Sequence, residues 1–121
     1  MIKKVSVTKK LSLFHDHWNP RIVGQLNGQQ VKLVKTLGEF EWHFHKDEDE
    51  MFFVIKGELE MHLKDHTLTI GEGEFIIIPR GAEHKPVALE EVHIMLFEPE
   101  TTSNTGNISN SERTRSNIDW I

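Results

Sequence analysis

The sequence predicts a small all-β protein, a single antiparallel barrel with little helix. Short runs of β-branched and aromatic residues recur along the chain, and glycine-containing turns separate them. Residues 58–64 alternate without a break between polar and apolar side chains, as a strand with one solvated face does. No stretch of twelve residues shows the 3.6-residue period of an amphipathic helix. A flat sheet of this size would leave edges and an apolar face uncovered, so closure into a barrel is favoured.

The predicted strands are bounded by turn residues. Asn27-Gly28 is the strongest hairpin signal in the chain, because both positions of the turn can adopt a positive φ angle. Pro79 ends one apolar run and Pro99 follows another, since proline cannot donate to a strand ladder. About eight strands fit before residue 98, at 3–8, 21–26, 31–37, 51–55, 58–64, 67–70, 75–78 and 92–97.

The length of 121 residues allows one domain, and the composition divides the chain into a barrel and an arm. The barrel is expected to occupy residues 1–98. Residues 99–121 form a polar C-terminal arm, in which twelve of the seventeen residues from 101 to 117 are serine, threonine or asparagine. Such a segment has little apolar surface to bury. It ends in three apolar residues out of four, so it is either a floppy tail or an arm that docks by its end.

The composition excludes several classes of protein. The chain has no cysteine, which rules out disulfides, thiolate zinc sites and cysteine nucleophiles. The net charge is −5 and the lysine pairs are isolated, so we expect no nucleic-acid partner. No apolar run approaches the roughly 20 residues of a spanning helix, so we expect no membrane partner. The first residues alternate and do not form the apolar core of an export signal, which predicts a cytoplasmic protein.

Histidine is the one residue type in excess, with eight in the chain. His43 and His45 are separated by one residue, and in a strand this spacing places both rings on one face, about 6–7 Å apart at the backbone. Two imidazoles at this separation can converge on one metal ion. An acidic turn follows and returns a carboxylate to the pair, either Glu50 or Asp49. A third histidine, His84, directly follows a turn that contains proline and glycine.

These residues stand in a frame that resembles the cupin superfamily. The first cupin motif is matched by Gly38, His43, His45, Glu50 and Gly57, and the second by Gly73, Pro79, Gly81 and His84. The first motif is one residue short between Gly38 and His43, and Ala88 stands where the second motif normally ends in asparagine. The resemblance covers roughly residues 20–98. It is strongest to compact bacterial single-domain cupins, some of which are labelled mannose-6-phosphate isomerase-like.

The resemblance implies a jelly-roll barrel, or double-stranded β-helix, that binds one divalent metal ion per chain. The ligands carried over are His43, His45, Glu50 and His84, and Glu50 is preferred to Asp49 because of its spacing to the glycine that ends the motif. Three nitrogens and one oxygen suit Fe, Mn, Ni, Zn or Co and leave positions for water or substrate. Because ligation requires neutral imidazoles, we expect metal affinity to fall as the pH drops through about 6.5.

The same resemblance implies a small-molecule partner. The expected activity is that of a metal-dependent enzyme on a small organic acid, enol or sugar-like substrate, of the dioxygenase, decarboxylase or isomerase type. The alternative is a non-catalytic cupin that binds or senses a small ligand. Cupins usually dimerise through sheet edges, so a homodimer is expected. No catalytic base can be named from the sequence.

Several residues near the motifs have two interpretations. His93 lies in the last apolar strand and faces either into the barrel or out of it. Arg80 lies in a turn beside the second motif, where it either anchors an anionic substrate or is solvated. Ordinary core or rim positions are expected for Trp42, Phe52, Val54, Phe75, Ile77 and Leu96.

Overall fold

The computed structural model describes residues 2–121 and confirms the all-β prediction. One short helix, α1 (Val7–Leu11), precedes the strands. The strands are β1 (Arg21–Leu26), β2 (Gln29–Glu39), β3 (Glu50–Lys56), β4 (Leu59–Leu63), β5 (Thr67–Ile70), β6 (Phe75–Ile78), β7 (His84–Pro99) and β8 (Asp119–Trp120). Within residues 2–121, no helix is both long enough and apolar enough to cross a membrane.

Strand β7 is the central element of the sheet. It pairs antiparallel with β2 along one edge, and on the other edge with β4 over residues 84–87 and with β3 over residues 93–97. Its longest ladder runs along β2, from the pair Gln29 and Pro99 to the pair Glu39 and Val87. The pairs β1–β2 and β4–β5 extend the sheet on either side, and β6 pairs with β3. One long strand therefore belongs to ladders on both of its edges, which folds the short strands around a common interior.

The interior is filled by alternate side chains of these strands. Along β7, Val92, Ile94 and Leu96 all belong to one buried cluster, to which β3 contributes Phe52 and Val54. This period of two is the geometry expected of strands with one buried face. The same alternation points Glu50 of β3 and Glu98 of β7 inward, so two acidic side chains lie next to the apolar core.

The prediction of a strand at residues 3–8 is wrong, because residues 2–6 have no regular secondary structure and α1 begins at Val7. Ser6 is the N-cap of this helix, and its side chain accepts a hydrogen bond of 3.2 Å from the backbone N–H of Lys9. An N-cap bond of this kind satisfies a donor that a helix start otherwise leaves free. Leu11 is buried in a second apolar cluster with Phe14 and Leu33, on the outer face of the sheet. Tertiary packing and capping thus outweigh the local alternation.

Two further expectations are corrected by the register of the strands. Strand β7 begins at His84, eight residues before the predicted start at 92. Pro86 and the pair Glu90-Glu91 interrupt the apolar pattern in its first half, so the sequence does not indicate a strand there. Of the residues expected at core or rim positions, Phe75, Ile77 and Trp42 are not in the core, since their exposures are 58%, 57% and 39%. The run of four apolar residues in β6 carries no alternation, and it is Ile78 that turns inward.

The C-terminal arm, residues 99–121, lies against the barrel. Strand β8 pairs in parallel with β1, and the backbone N–H of Ile121 donates to the carbonyl of Ile22 at 3.0 Å. The side chain of Ile121 packs on the second apolar cluster. Thr102 and Thr105 are buried, and the side chain of Thr105 donates to the carbonyl of Ile108. Hydrogen bonds order this polar segment, and its apolar end holds it on the sheet.

Candidate metal centre

The four side chains predicted as metal ligands lie together inside the barrel. His43, His45, Glu50 and His84 are all buried, with exposures between 0% and 4%. His43 and His45 lie on the connection between β2 and β3, Glu50 is the first residue of β3, and His84 is the first residue of β7. The backbones of His43 and His84 exchange two hydrogen bonds, of 3.0 and 2.9 Å. This bridge fixes the connection beside the start of β7.

The ligand atoms of the four residues form a compact group. Taking one ligand atom from each residue, all of them lie within 4.8 Å of one another. Glu50 Oε1 lies 3.3 Å from His45 Nε2 and 3.5 Å from His84 Nε2. Metal–nitrogen and metal–oxygen bonds of about 2.0–2.2 Å require separations of this order between neighbouring ligand atoms. The cluster could therefore hold a single metal ion.

The other carboxylate considered from the sequence, Asp49, points away from this group. It accepts the backbone N–H of Arg80 at 2.8 Å and also contacts the Arg80 guanidinium at 3.3 Å. Both side chains are exposed. The hydrogen bond from the Arg80 side chain, ahead of the one from its backbone, lowers the pKa of Asp49. Since successive residues at a strand start face opposite ways, only Glu50 of the two enters the barrel.

The pattern of bonded and unbonded ring nitrogens and oxygens in the cluster is the one that a divalent ion requires. Both ring nitrogens of His45, one oxygen of Glu50 and Nε2 of His84 are buried without a hydrogen-bond partner among the described residues. Burying such groups unpaired costs several kcal/mol. Nδ1 of His43 lies 2.9 Å from the Glu41 carbonyl, and Nδ1 of His84 lies 2.9 Å from the Ala82 carbonyl. A neutral ring that donates Nδ1–H keeps its lone pair on Nε2, as a metal ligand needs. The donor set fits.

The electrostatics of the cluster favour the protonation states that ligate. Burial, reinforced by the nearby His84 ring, lowers the pKa of His43 to about 4. For Glu50, burial acts to raise the pKa, but the close approach of Glu98, His45 and His84 to its carboxylate holds it well below the ordinary value. The His43 ring is therefore neutral and Glu50 ionised near pH 7. A neutral imidazole and an ionised carboxylate are the forms that bind a metal.

A buried ion pair beside the cluster was not predicted from the sequence. Lys32 Nζ donates to Glu98 Oε1 at 2.9 Å, and both side chains are almost fully buried. Burial and then the charge of Glu50 raise the pKa of Glu98 well above its ordinary value, while Lys32 opposes this. The signal was present in the alternation, because Glu98 continues the inward row of Ile94 and Leu96. No motif marks either residue.

A small cavity of about 40 Å³ adjoins the cluster and is partly open to solvent. Two of the candidate ligands, His43 and Glu50, line it, together with Glu98. Most of the remaining wall is apolar or aromatic, and Asn104 of the C-terminal arm is also part of it. Mostly apolar clefts with a few convergent polar groups are the usual form of small-molecule sites.

The two residues with open interpretations both lie outside this cavity. His93 Nε2 contacts Glu91 at 2.9 Å, and its neighbours Val92 and Ile94 are the ones that face the interior. His93 is therefore on the outer face of β7. Arg80 is exposed and bound to Asp49, so it does not reach the cavity.

The protein is thus a small β-barrel with a buried cluster of three histidines and one glutamate that could hold a metal ion. The chain belongs to the cupin family, because the profile of the cupin domain matches residues 30–98. An uncharacterized protein of Bacillus subtilis, YdbB, is 36% identical over 64 residues, which are 52% of this chain and 57% of that protein. An uncharacterized protein of Aquifex aeolicus is 34% identical over 59 residues, or 47% of this chain and 49% of that protein. The matches span about half the length of these relatives.

Solved structures show the same fold over more of the chain. A cupin-2 domain containing protein from Shewanella frigidimarina is 47% identical, with a TM-score of 0.78 over 79% of this chain and 94% of that one. A protein from Neisseria meningitidis is 28% identical, with a TM-score of 0.75 over 81% of this chain and all of that one (100%). This chain is thus similar to compact single-domain cupins.

Proposed function

We propose that this protein is a mononuclear metal-dependent cupin enzyme that acts on a small organic acid, enol or sugar-like molecule. The observation that carries the proposal is the buried cluster of His43, His45, Glu50 and His84, whose unpartnered donor atoms adjoin a cavity. When bound, a divalent ion would supply Lewis-acid or oxygen-activating chemistry.

The cavity supports an enzyme more than a purely structural metal site. In a structural site all coordination positions are filled by protein groups, whereas a catalytic site keeps a position open. Here His43 and Glu50 form part of the cavity wall, so a small molecule in the cavity would reach the ion. At about 40 Å³ the cavity has room for a few waters or for the reacting end of a substrate, and the two carboxylates limit where polar groups can lie.

Metal content and turnover test this proposal directly. The protein is purified without a tag or chelator, analysed for metals, and reconstituted with Fe(II), Mn(II), Ni(II), Zn(II) and Co(II) in turn. We expect one equivalent of metal per chain and turnover of at least one small acid, enol or sugar in a screen with oxygen uptake and product analysis. Absence of any bound metal would overturn the proposal. Metal and ligand binding without turnover would favour the alternative, a ligand-binding or sensor cupin.

We further propose that the protein forms a homodimer through the edge strand β6. Among the described strands, β6 pairs only with β3, so its other edge is free. Phe75 and Ile77 on this strand are 58% and 57% exposed, beside Phe53 and Met51 of β3. A free edge can pair with the same edge of a second copy, and the exposed apolar side chains of the two β6 strands would then lie side by side in one continuous sheet.

Substitution of Ile77 with lysine is expected to convert the dimer into a monomer at micromolar concentration. Lysines of the two copies would lie close together across the paired edges, and this repulsion of like charges disfavours the pairing. Light scattering or sedimentation gives the mass. Leu89→Lys is the matched control, because Leu89 is 75% exposed and lies in β7, away from the free edge. A wild-type protein that is already monomeric would contradict the proposed assembly.

A further inference from the structure

The C-terminal arm contacts the segment that carries two of the candidate ligands. The backbone N–H of Phe44 donates to Asn107 Oδ1 at 2.8 Å, and the backbone N–H of Asn107 donates to the Phe44 carbonyl at 3.0 Å. Phe44 is the residue between His43 and His45. Both backbone groups of this residue are therefore bonded to a single residue of the arm.

The arm lies so close to this segment that only glycine fits at the contact. Gly106 has a φ of +55°, a conformation that other residues rarely adopt. A Cβ atom there would lie 2.2 Å from the Phe44 carbonyl oxygen and 3.2 Å from the His43 ring carbon Cδ2. The arm backbone thus packs directly against the ring of a candidate ligand.

Further contacts connect the arm to the segment that precedes His43. The hydroxyl of Ser111 donates to the carboxylate of Glu41, whose backbone carbonyl is the partner of His43 Nδ1. The guanidinium of Arg113 donates to the Glu39 carbonyl and lies 5.6 Å from the Trp18 ring centroid. The arm therefore also holds the backbone that orients the first histidine.

We infer that the C-terminal arm is part of the metal site, with Asn107 as the positioning residue that holds the His43–Phe44–His45 segment in its ligating conformation. This inference rests on the proposed function, since it concerns the same metal. The segment is not part of a strand: His43 bridges to His84, and the His45 carbonyl accepts from the backbone N–H of Gly81 at 2.7 Å. Between them, the backbone of Phe44 is held by the arm. The match to the cupin domain ends at residue 98, and the arm lies beyond it.

Coupling between two sites is reciprocal. If Asn107 holds the ligands ready for the metal, the bound metal must stabilise the contact with Asn107 by the same factor. Metal binding is therefore expected to protect the arm, and removal of the Asn107 side-chain amide is expected to weaken metal binding. A residue with a merely structural role would change neither quantity in a metal-dependent way.

The experiment compares metal affinity in four purified proteins: wild type, Asn107→Ala, Asn107→Asp and Asn110→Ala. Competitive titration with Zn(II) and the visible spectrum of bound Co(II) report on the site itself. Loss of a group that orients a ligand typically lowers metal affinity by about 10–100-fold, and we expect about tenfold for Asn107→Ala. Asn107→Asp keeps an acceptor for Phe44 and should restore most of the affinity. Asn107 and Asn110 are both exposed, but it is Asn107 that bonds to Phe44, so Asn110→Ala should leave the metal affinity unchanged.

Trypsin cleavage after Arg113 and Arg115, followed by mass spectrometry, gives the reciprocal measurement. In the wild type, metal should slow this cleavage, and the protection should be smaller in Asn107→Ala by a factor comparable to its loss of affinity. Gly106→Ala should release the arm from this segment and lower the metal affinity further than Asn107→Ala does. The inference would be overturned by equal metal affinity in wild type and Asn107→Ala, or by a cleavage rate that is the same with and without metal. Either result would leave the proposed metal site itself standing. A wild type that binds no metal would overturn the proposed function as well.

Discussion

Replacement of His45 with alanine is expected to abolish stoichiometric metal binding. Both ring nitrogens of His45 are buried without a hydrogen-bond partner, and Nε2 lies 3.3 Å from Glu50 Oε1. Loss of a group that only orients a ligand already costs about 10–100-fold in affinity. Loss of a ligand itself should therefore weaken binding by at least about 100-fold. Elemental analysis after dialysis should give one equivalent in the wild type and close to none in the variant.

The matched control is His66→Ala, which removes the same side chain from an exposed turn. His66 lies outside the cluster, and its contact is with the neighbouring Asp65. We expect this variant to keep a full equivalent of metal. Circular dichroism of the metal-free proteins separates a lost ligand from a lost fold. If His45→Ala retained a full equivalent of metal, His45 would not be a ligand.

The sequence was most informative where covalent spacing fixes geometry. His43 and His45 are two residues apart, and on an extended backbone this spacing places both rings on one side, where they can bind one ion whatever the rest of the fold. The preference for Glu50 over Asp49 came from the spacing of Glu50 to Gly57 in the cupin motif, since strand alternation says only that the two residues face opposite ways. Strand ends and turns were recognisable because glycine and proline have few alternatives at those positions.

Features that depend on tertiary contacts could not be predicted in this way. The alternation at residues 3–8 is compatible with a strand. The helix that follows is stabilised by the packing of Leu11 against the cluster that contains Leu33, a contact that the local sequence does not show. The pair Lys32 and Glu98 is 66 residues apart, and no local pattern joins them. The contact of Asn107 with Phe44 likewise spans 63 residues of chain. A serine-, threonine- and asparagine-rich composition is typical of a solvated tail, so the sequence left the state of the arm undecided.

The metal-free protein is expected to lose stability as the pH falls from about 6.5 to about 4, because of His43. Burial, and then the neighbouring His84, lower the pKa of this ring to about 4, whereas the unfolded chain has the ordinary value of 6.5. Between these values the unfolded state binds a proton that the folded state does not. Acid therefore favours unfolding in this window. The difference corresponds to about 3 kcal/mol of unfolding free energy.

Denaturant unfolding of chelator-treated wild type and His43→Gln at several pH values measures this contribution. Glutamine does not titrate, so the variant should lack about 3 kcal/mol of the decrease between pH 6.5 and 4. Carboxylates that titrate below this range contribute equally to the unfolding free energy of both proteins, so their contribution cancels in the difference. At His43, proton competition with the metal is then expected near pH 4, not near the 6.5 of an exposed imidazole. Parallel pH profiles for the two proteins would show that the buried His43 ring does not have a depressed pKa.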